Sequence, residues 1–131
     1  MALFHKHLII RAELNNPPKC SETINEWMRT LVAKIDMKIL MGPYSVYSEM
    51  TGNRGLTAVT IIETSHIALH IWDEMSPGLM QLDVYSCANF NPEDVFETII
   101  AKTIRFPETT VVGEPITTYA TSSGGAASYR R

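Results

Sequence analysis

Ser65, His66, His70 and Cys87 carry hydroxyl, imidazole and thiol groups, the common tools of acyl and proton transfer. The first three fall in "TIIETSHIALHIW", residues 60–72, which otherwise reads as apolar β-strand. Polar groups in such a strand cost stability unless they are hydrogen-bonded, so they are either quietly satisfied or put to use. Strand side chains alternate faces. His66, Ala68, His70 and Trp72 then share one face, and Ile67, Leu69 and Ile71 form the core side. The plainest reading of the first row is a half-exposed face with two ordinary histidines. A zinc site is excluded by spacing: His66 and His70 are about 13 Å apart along a strand, and zinc ligands sit about 2 Å from the metal. No metal is expected. A serine hydrolase lacks its Gly-x-Ser-x-Gly elbow, and neighbours Ser65 and His66 face opposite ways. Cys87 ends a strand and reads as a small buried hydrophobe unless a pocket has a use for its proton.

These residues need a scaffold. "HLIIRAEL", residues 7–14, reads as a first strand, broken by "NNPPKC". Ile24, Trp27, Met28, Leu31, Val32 and Ile35 then recur at helical spacing, predicting a helix from Ser21 to near Met37. Thr23 and Glu26 are spaced as a capping box, with Ser21 as a rival N-cap. "KILMGPYSVYSEM" reads as a strand with a Gly42-Pro43 break, "TGNRG" as a turn, and "LTAVTII" as a β-branched strand. The 60–72 stretch continues that strand or forms the next. After "DEMSPG", the strand "LMQLDVYSC" puts Leu79, Gln81, Asp83, Tyr85 and Cys87 on one face. Asn91 as N-cap, Pro92 at the first position, and acidic Glu93 and Asp94 open a second helix. Its predicted stripe is Val95, Phe96, Ile99, Ile100 and Ile104. "TTVVGEPITTYA" adds one or two strands.

Successive strands flanked by helices predict an α+β fold: a two-layer sandwich of an antiparallel sheet with helices on one face. The free face favours an oligomer. One domain is expected over residues 1–120, and the small, polar residues 121–131 read as a disordered tail. The net charge of −3 is scattered, with no basic patch for nucleic acid. No apolar run reaches the roughly 18 residues of a membrane span, and the N-terminus lacks a signal-peptide pattern. Cys20 and Cys87 are expected as thiols, and the compartment as the cytoplasm.

"GLTAVTIIETSHIALHIWDE", residues 55–74, and "LDVYSC", residues 82–87, resemble the short prokaryotic class of S-adenosylmethionine decarboxylases. That family has a Ser-His step entering an alternating strand, then a second His, a Trp, an acidic residue and a strand ending in Cys. The close match spans about 35 residues; the rest agrees in size and element order. The resemblance implies that Ser65 attacks the preceding carbonyl, and that β-elimination cuts the chain between Thr64 and Ser65. The cut leaves a pyruvoyl group derived from Ser65 on the new α chain, with residues 1–64 as the β chain. His70 matches the base that takes the α-proton, and Thr57 stands where the family has a serine that assists processing. The pyruvoyl ketone forms a Schiff base with the substrate amine and so acts as electron sink for decarboxylation. Cys87 matches the proton donor, a thiol being mostly protonated at neutral pH. Trp72 matches an aromatic position near the adenine, and Glu74 the acid that binds the ribose hydroxyls. The implied product is the aminopropyl donor for spermidine synthesis, and the implied assembly a homodimer of processed α/β chains.

The chain departs from the pattern at named positions. Thr64 replaces the usual Glu, with Glu63 one position earlier. Asp73 replaces the proline of a Trp-Pro-Glu run, and "MSPG" lengthens the connection to Cys87. The aromatic segment that covers the adenine has no counterpart in "SEMTGNRG", although Tyr44 and Tyr47 lie nearby. The adenine pocket is altered more than the carbonyl machinery. Ornithine or arginine as substrate, and an unprocessed S-adenosylmethionine-binding regulator, are the alternative readings. Ser65 and His70 also differ in parity, so a shared site calls for a bend or bulge at Ser65.

Overall fold

The computed structural model describes residues 5–99 in full and the backbone of residues 103–112, 118–120 and 126–130. The elements run β1 (Lys6–Leu14), α1 (Ser21–Lys34), β2 (Ile39–Ser48), β3 (Gly55–Ile62), β4 (Ser65–Trp72), β5 (Gly78–Ser86), α2 (Pro92–Ile99), β6 (Thr103–Val112), β7 (Thr118–Ala120) and β8 (Ala126–Arg130). They form one sheet in the order β2-β3-β4-β5-β1-β6-β8-β7. All neighbours are antiparallel except β6 and β8. The predicted α+β sandwich is the observed architecture. The 60–72 stretch resolves into the end of β3, a tight turn at Glu63 and Thr64, and β4.

Alternation decides which strand residues meet the helices. Leu8, Ile10, Ala58, Ile62, Ile67, Leu69, Leu82 and Val84 are buried on one face of the sheet. They form a single core with Ile24, Met28, Leu31 and Val32 of α1 and Val95, Phe96 and Ile99 of α2. Met28 and Leu31 are fully buried, and each such side chain contributes roughly 1.5–3 kcal/mol of transfer free energy. The Trp27 indole N–H donates to the Thr98 carbonyl at 3.1 Å and ties the helices together. Both helices therefore lie on one face, and the other face is left open. Among the described residues no helix is long and apolar enough to cross a membrane.

Helix ends differ in part from expectation. The capping box of Thr23 and Glu26 does not form: Cys20 takes the N-cap position without a side-chain bond. At the other end α1 stops at Lys34. Asp36 adopts φ 59° there, and the N–H groups of Asp36 and Met37 return to the Ala33 and Val32 carbonyls. α2 starts as predicted, with the Asn91 carboxamide accepting from the Glu93 N–H at 3.1 Å. It ends at Ile99, so Ile104 belongs to β6 and not to the helical stripe; Thr103 pairs opposite Leu14 on the open edge of β1. Ile100, and residues 121–125 and 131 of the predicted tail, lie outside the described residues; the backbone of Ala126–Arg130 pairs with β6 and β7.

Candidate active site

The open face of the sheet is a grid of rows set by strand register. One row runs Thr57, His70, Gln81, Arg11 across β3, β4, β5 and β1. The next runs Val59, Ala68, Asp83, Ile9, and a third Ile61, His66, Tyr85, His7. The predicted face assignments of His66, Ala68, His70 and Trp72 hold, with Ile67, Leu69 and Ile71 buried behind them.

At one end of β4 lies the Thr64–Ser65 peptide. Ser65 has φ 139°, a conformation that costs a non-glycine residue of order 1–3 kcal/mol. The Thr64 carbonyl accepts from the Cys87 N–H at 2.8 Å. The Ser86 hydroxyl, fully buried, donates to Thr64 Oγ1 at 2.9 Å, and Thr64 Oγ1 donates to Met37 Sδ at 3.1 Å. Ser86 Oγ in turn accepts from the Ala88 N–H at 2.9 Å. One signal for Ser86 is its parity: it falls on the inward side of its strand with Met80, Leu82 and Val84. The structure thus brings Thr64, Ser65 and Cys87 together. Cys87 is exposed.

Beside this end three of the chain's four histidines join a network that sequence reading missed. His7 Nε2 lies 2.5 Å from Asp83 Oδ1, and His66 Nε2 3.9 Å from the same oxygen. The His66 ring stacks on Tyr85, whose hydroxyl lies 3.3 Å from His5 Nδ1.

At the other end, Thr57 Oγ1 and His70 Nδ1 are 3.2 Å apart, and the His70 ring stacks on Trp72 at 5.7 Å. Gly55 opens β3 beside them with φ 145°; a Cβ there would lie 1.8 Å from the Ile71 carbonyl oxygen, so only glycine lets the strands close. The Trp72 indole N–H donates to Asn53 Oδ1 at 2.8 Å. Glu74 accepts from the backbone N–H groups of Arg54 at 2.9 Å and Gly52 at 3.1 Å, and these bonds hold its carboxyl below the usual range. A cleft of about 500 Å³ opens here, lined by Trp72, Glu74, Met75, Pro77, Leu79 and Arg11 among others. Trp72 and Glu74, predicted as ligand residues, share this cleft.

The predicted site residues therefore form two groups. The ladder pairs every residue from Ser65 to Trp72 without a bulge, so the bend expected at Ser65 is absent and only its φ is unusual. Five residues of strand put His70 about 16 Å from Ser65. Thr57, His70, Trp72 and Glu74 stand at one end of the face, and Thr64, Ser65 and Cys87 at the other.

A family model described as S-adenosylmethionine decarboxylase matches residues 10–110. Over 51 residues the chain is 39% identical to an S-adenosylmethionine decarboxylase proenzyme of Pyrobaculum islandicum, covering 38% of this chain and 39% of that protein. A proenzyme of the same description from Methanococcus aeolicus is 36% identical over 47 residues, 35% of this chain and 38% of the relative. A stretch of 36 residues, 28% of this chain, is 64% identical to 11% of an uncharacterized protein of Mycobacterium tuberculosis. The chain thus matches well under half the length of each of these relatives.

Proposed function

The chain belongs to the S-adenosylmethionine decarboxylase family, and we propose that it is a precursor that cuts itself between Thr64 and Ser65. In this reading Ser65 becomes a pyruvoyl group, and the processed protein decarboxylates S-adenosylmethionine in the cytoplasm to the aminopropyl donor for spermidine. The observation that carries the proposal is the strained φ of 139° at Ser65, the residue at which the resemblance puts the cut. Strain at a reacting residue raises the ground state toward the transition state.

The residues around the junction suit the chemistry. Ser65 Oγ attacks the Thr64 carbonyl carbon, and negative charge develops on the Thr64 oxygen. The Cys87 N–H already donates to that oxygen at 2.8 Å, as an oxyanion donor must. The Ser86 and Met37 contacts hold Thr64 where a glutamate is usual, so the hydroxyl is anchored and does not act as the acid. The peptide C–N bond then breaks and leaves an ester. His70, oriented by Thr57, removes the Ser65 α-proton as the Thr64 carboxylate departs with the former Oγ. Water converts the dehydroalanine left behind to the pyruvoyl group, with release of ammonia. A pyruvoyl group supplies the electron sink that amino-acid decarboxylation needs. Cys87 then holds at Sγ the proton that the substrate α-carbon requires.

A base must lie within about 3 Å of its proton, and His70 is about 16 Å away in the same chain. The reading therefore requires a homodimer whose two-fold axis brings His70, Thr57 and the Trp72–Glu74 cleft of one copy over Ser65 of the other. The open face suits such a partner: Tyr44, Val46, Val59 and Ile61 are exposed on it.

Intact mass under denaturing conditions tests the cut. Two fragments meeting at Thr64 and Ser65, the second with a pyruvoyl end, are expected. A lasting single species of 14.7 kDa overturns the proposal in favour of an unprocessed binding protein. Release of labelled CO2 from S-adenosylmethionine, and not from ornithine or arginine, tests the substrate.

A further inference from the structure

The cleft residues Trp72 and Glu74 flank a position at which this chain has Asp73 in place of proline. Proline would fix φ at that point. Asp73 achieves the restraint by other means. Its side chain is 2% exposed, and its two oxygens take Arg54 Nε at 2.7 Å and the Tyr47 hydroxyl at 2.7 Å. Arg54 Nη2 also donates to the Asp73 carbonyl at 3.0 Å, and the Asp73 N–H donates to the Arg54 carbonyl at 3.1 Å. Arg54 is thus bonded to both the side chain and the backbone of Asp73. The same turn supplies Asn53 to the Trp72 indole and the Gly52 and Arg54 N–H groups to Glu74. Every residue from 72 to 74 is tied to residues 52–54, and the buried charge at the centre of the tie is Asp73.

We infer that Asp73, with Arg54 and Tyr47, is the positioning residue of the substrate cleft: it fixes the Trp72 ring and the Glu74 carboxylate without touching substrate itself. The inference rests on the reading that this cleft receives the S-adenosyl group. Glu74 spends two acceptor sites on backbone amides, and a carboxylate has about four. The remaining sites face the ligand only while the turn holds its place. A guanidinium anchors that turn better than an ammonium, because two of its donors make the contacts at once.

The test compares self-cleavage, kcat, KM and thermal midpoint in the wild type and in Asp73→Asn, Arg54→Lys and Tyr47→Phe. Asp73→Asn and Arg54→Lys should raise KM for S-adenosylmethionine about tenfold while cleavage at Ser65 and kcat stay within about twofold. Tyr47→Phe loses one hydroxyl and keeps its ring against the core, so it folds even where the charge variants do not; it should raise KM by a smaller factor. A lowered midpoint with an unmoved KM in Tyr47→Phe and Asp73→Asn would show a merely structural tie and overturn the inference alone. Wild-type protein that self-cleaves but releases no CO2 from S-adenosylmethionine overturns the substrate reading and the inference with it.

Discussion

The division of the site into two groups makes a sharp prediction for mixed subunits. On the proposed reading, Ser65→Ala chains have no nucleophile and His70→Ala chains have no base. Neither should cut itself when made alone. Co-expressed in equal amounts, the two should form about half mixed dimers by random pairing in a two-fold assembly. In a mixed dimer, Ser65 of the His70→Ala chain meets His70 of the partner subunit. About half of the His70→Ala chains should then be cut, roughly a quarter of all chains, with no Ser65→Ala chain cut. The expectation follows from one distance: about 16 Å of strand separates the two residues in one chain, against the roughly 3 Å that proton transfer needs. Size tags on the two chains and intact mass give the assay. Mixed dimers that stay whole while wild-type protein cuts would refute the reasoning, as would cutting of His70→Ala on its own.

Two further outcomes are expected. Thr60 is fully buried, and its hydroxyl has no partner among the described residues. Thr60→Val should raise unfolding free energy in urea by about 1 kcal/mol, and a loss of stability would contradict this. At Asp73 burial raises the carboxyl, but the bonds from Arg54 and Tyr47 outweigh it and leave it below the usual range; amide bonds depress Glu74 as well. Depressed carboxylates give stability that is complete above their unfolded values near 4 and is lost as pH falls through the folded ones. The thermal midpoint of an Asp73→Asn/Glu74→Gln variant should therefore fall less than that of wild type between about pH 5 and pH 2; parallel curves would refute the tie.

Much of this was legible from local pattern. The alternation of β4 follows from a period of two, and α2 begins where Asn91, Pro92 and Glu93 say it does. Other features depend on contacts far along the chain. Ile104 continues a helical stripe in sequence, yet β1 offers an open edge and the backbone pairs there instead. The parity conflict between Ser65 and His70 could be seen in advance, but not its outcome, because nothing local keeps a strand straight: pairing with β5 does. The commitments of Trp72 and Glu74 to residues 52–54 need β3 and β4 laid side by side first. Cys20 as N-cap shows a helix placed by its apolar stripe, with the capping candidates Ser21 and Thr23 one and three positions too late.

Chain order and sheet order disagree, and this bears on a protein cut at Ser65. Residues 1–64 carry β1, α1, β2 and β3, while β4, β5, α2 and the later strands belong to the second piece. Yet β1 lies between β5 and β6, and β3 lies against β4. The pieces are interleaved, like the fingers of two hands, along three strand seams. The break would leave the fold standing, since the severed peptide lies at the very end of one seam, where Ile62 pairs with Ser65, and the pairs beyond it are untouched. Regaining the fold after melting would be another matter. Two separate molecules would have to meet and thread β1 into its slot, so renaturation would depend on concentration and heating would be largely one-way. Such an enzyme would be durable because its pieces separate slowly, whatever the equilibrium between them.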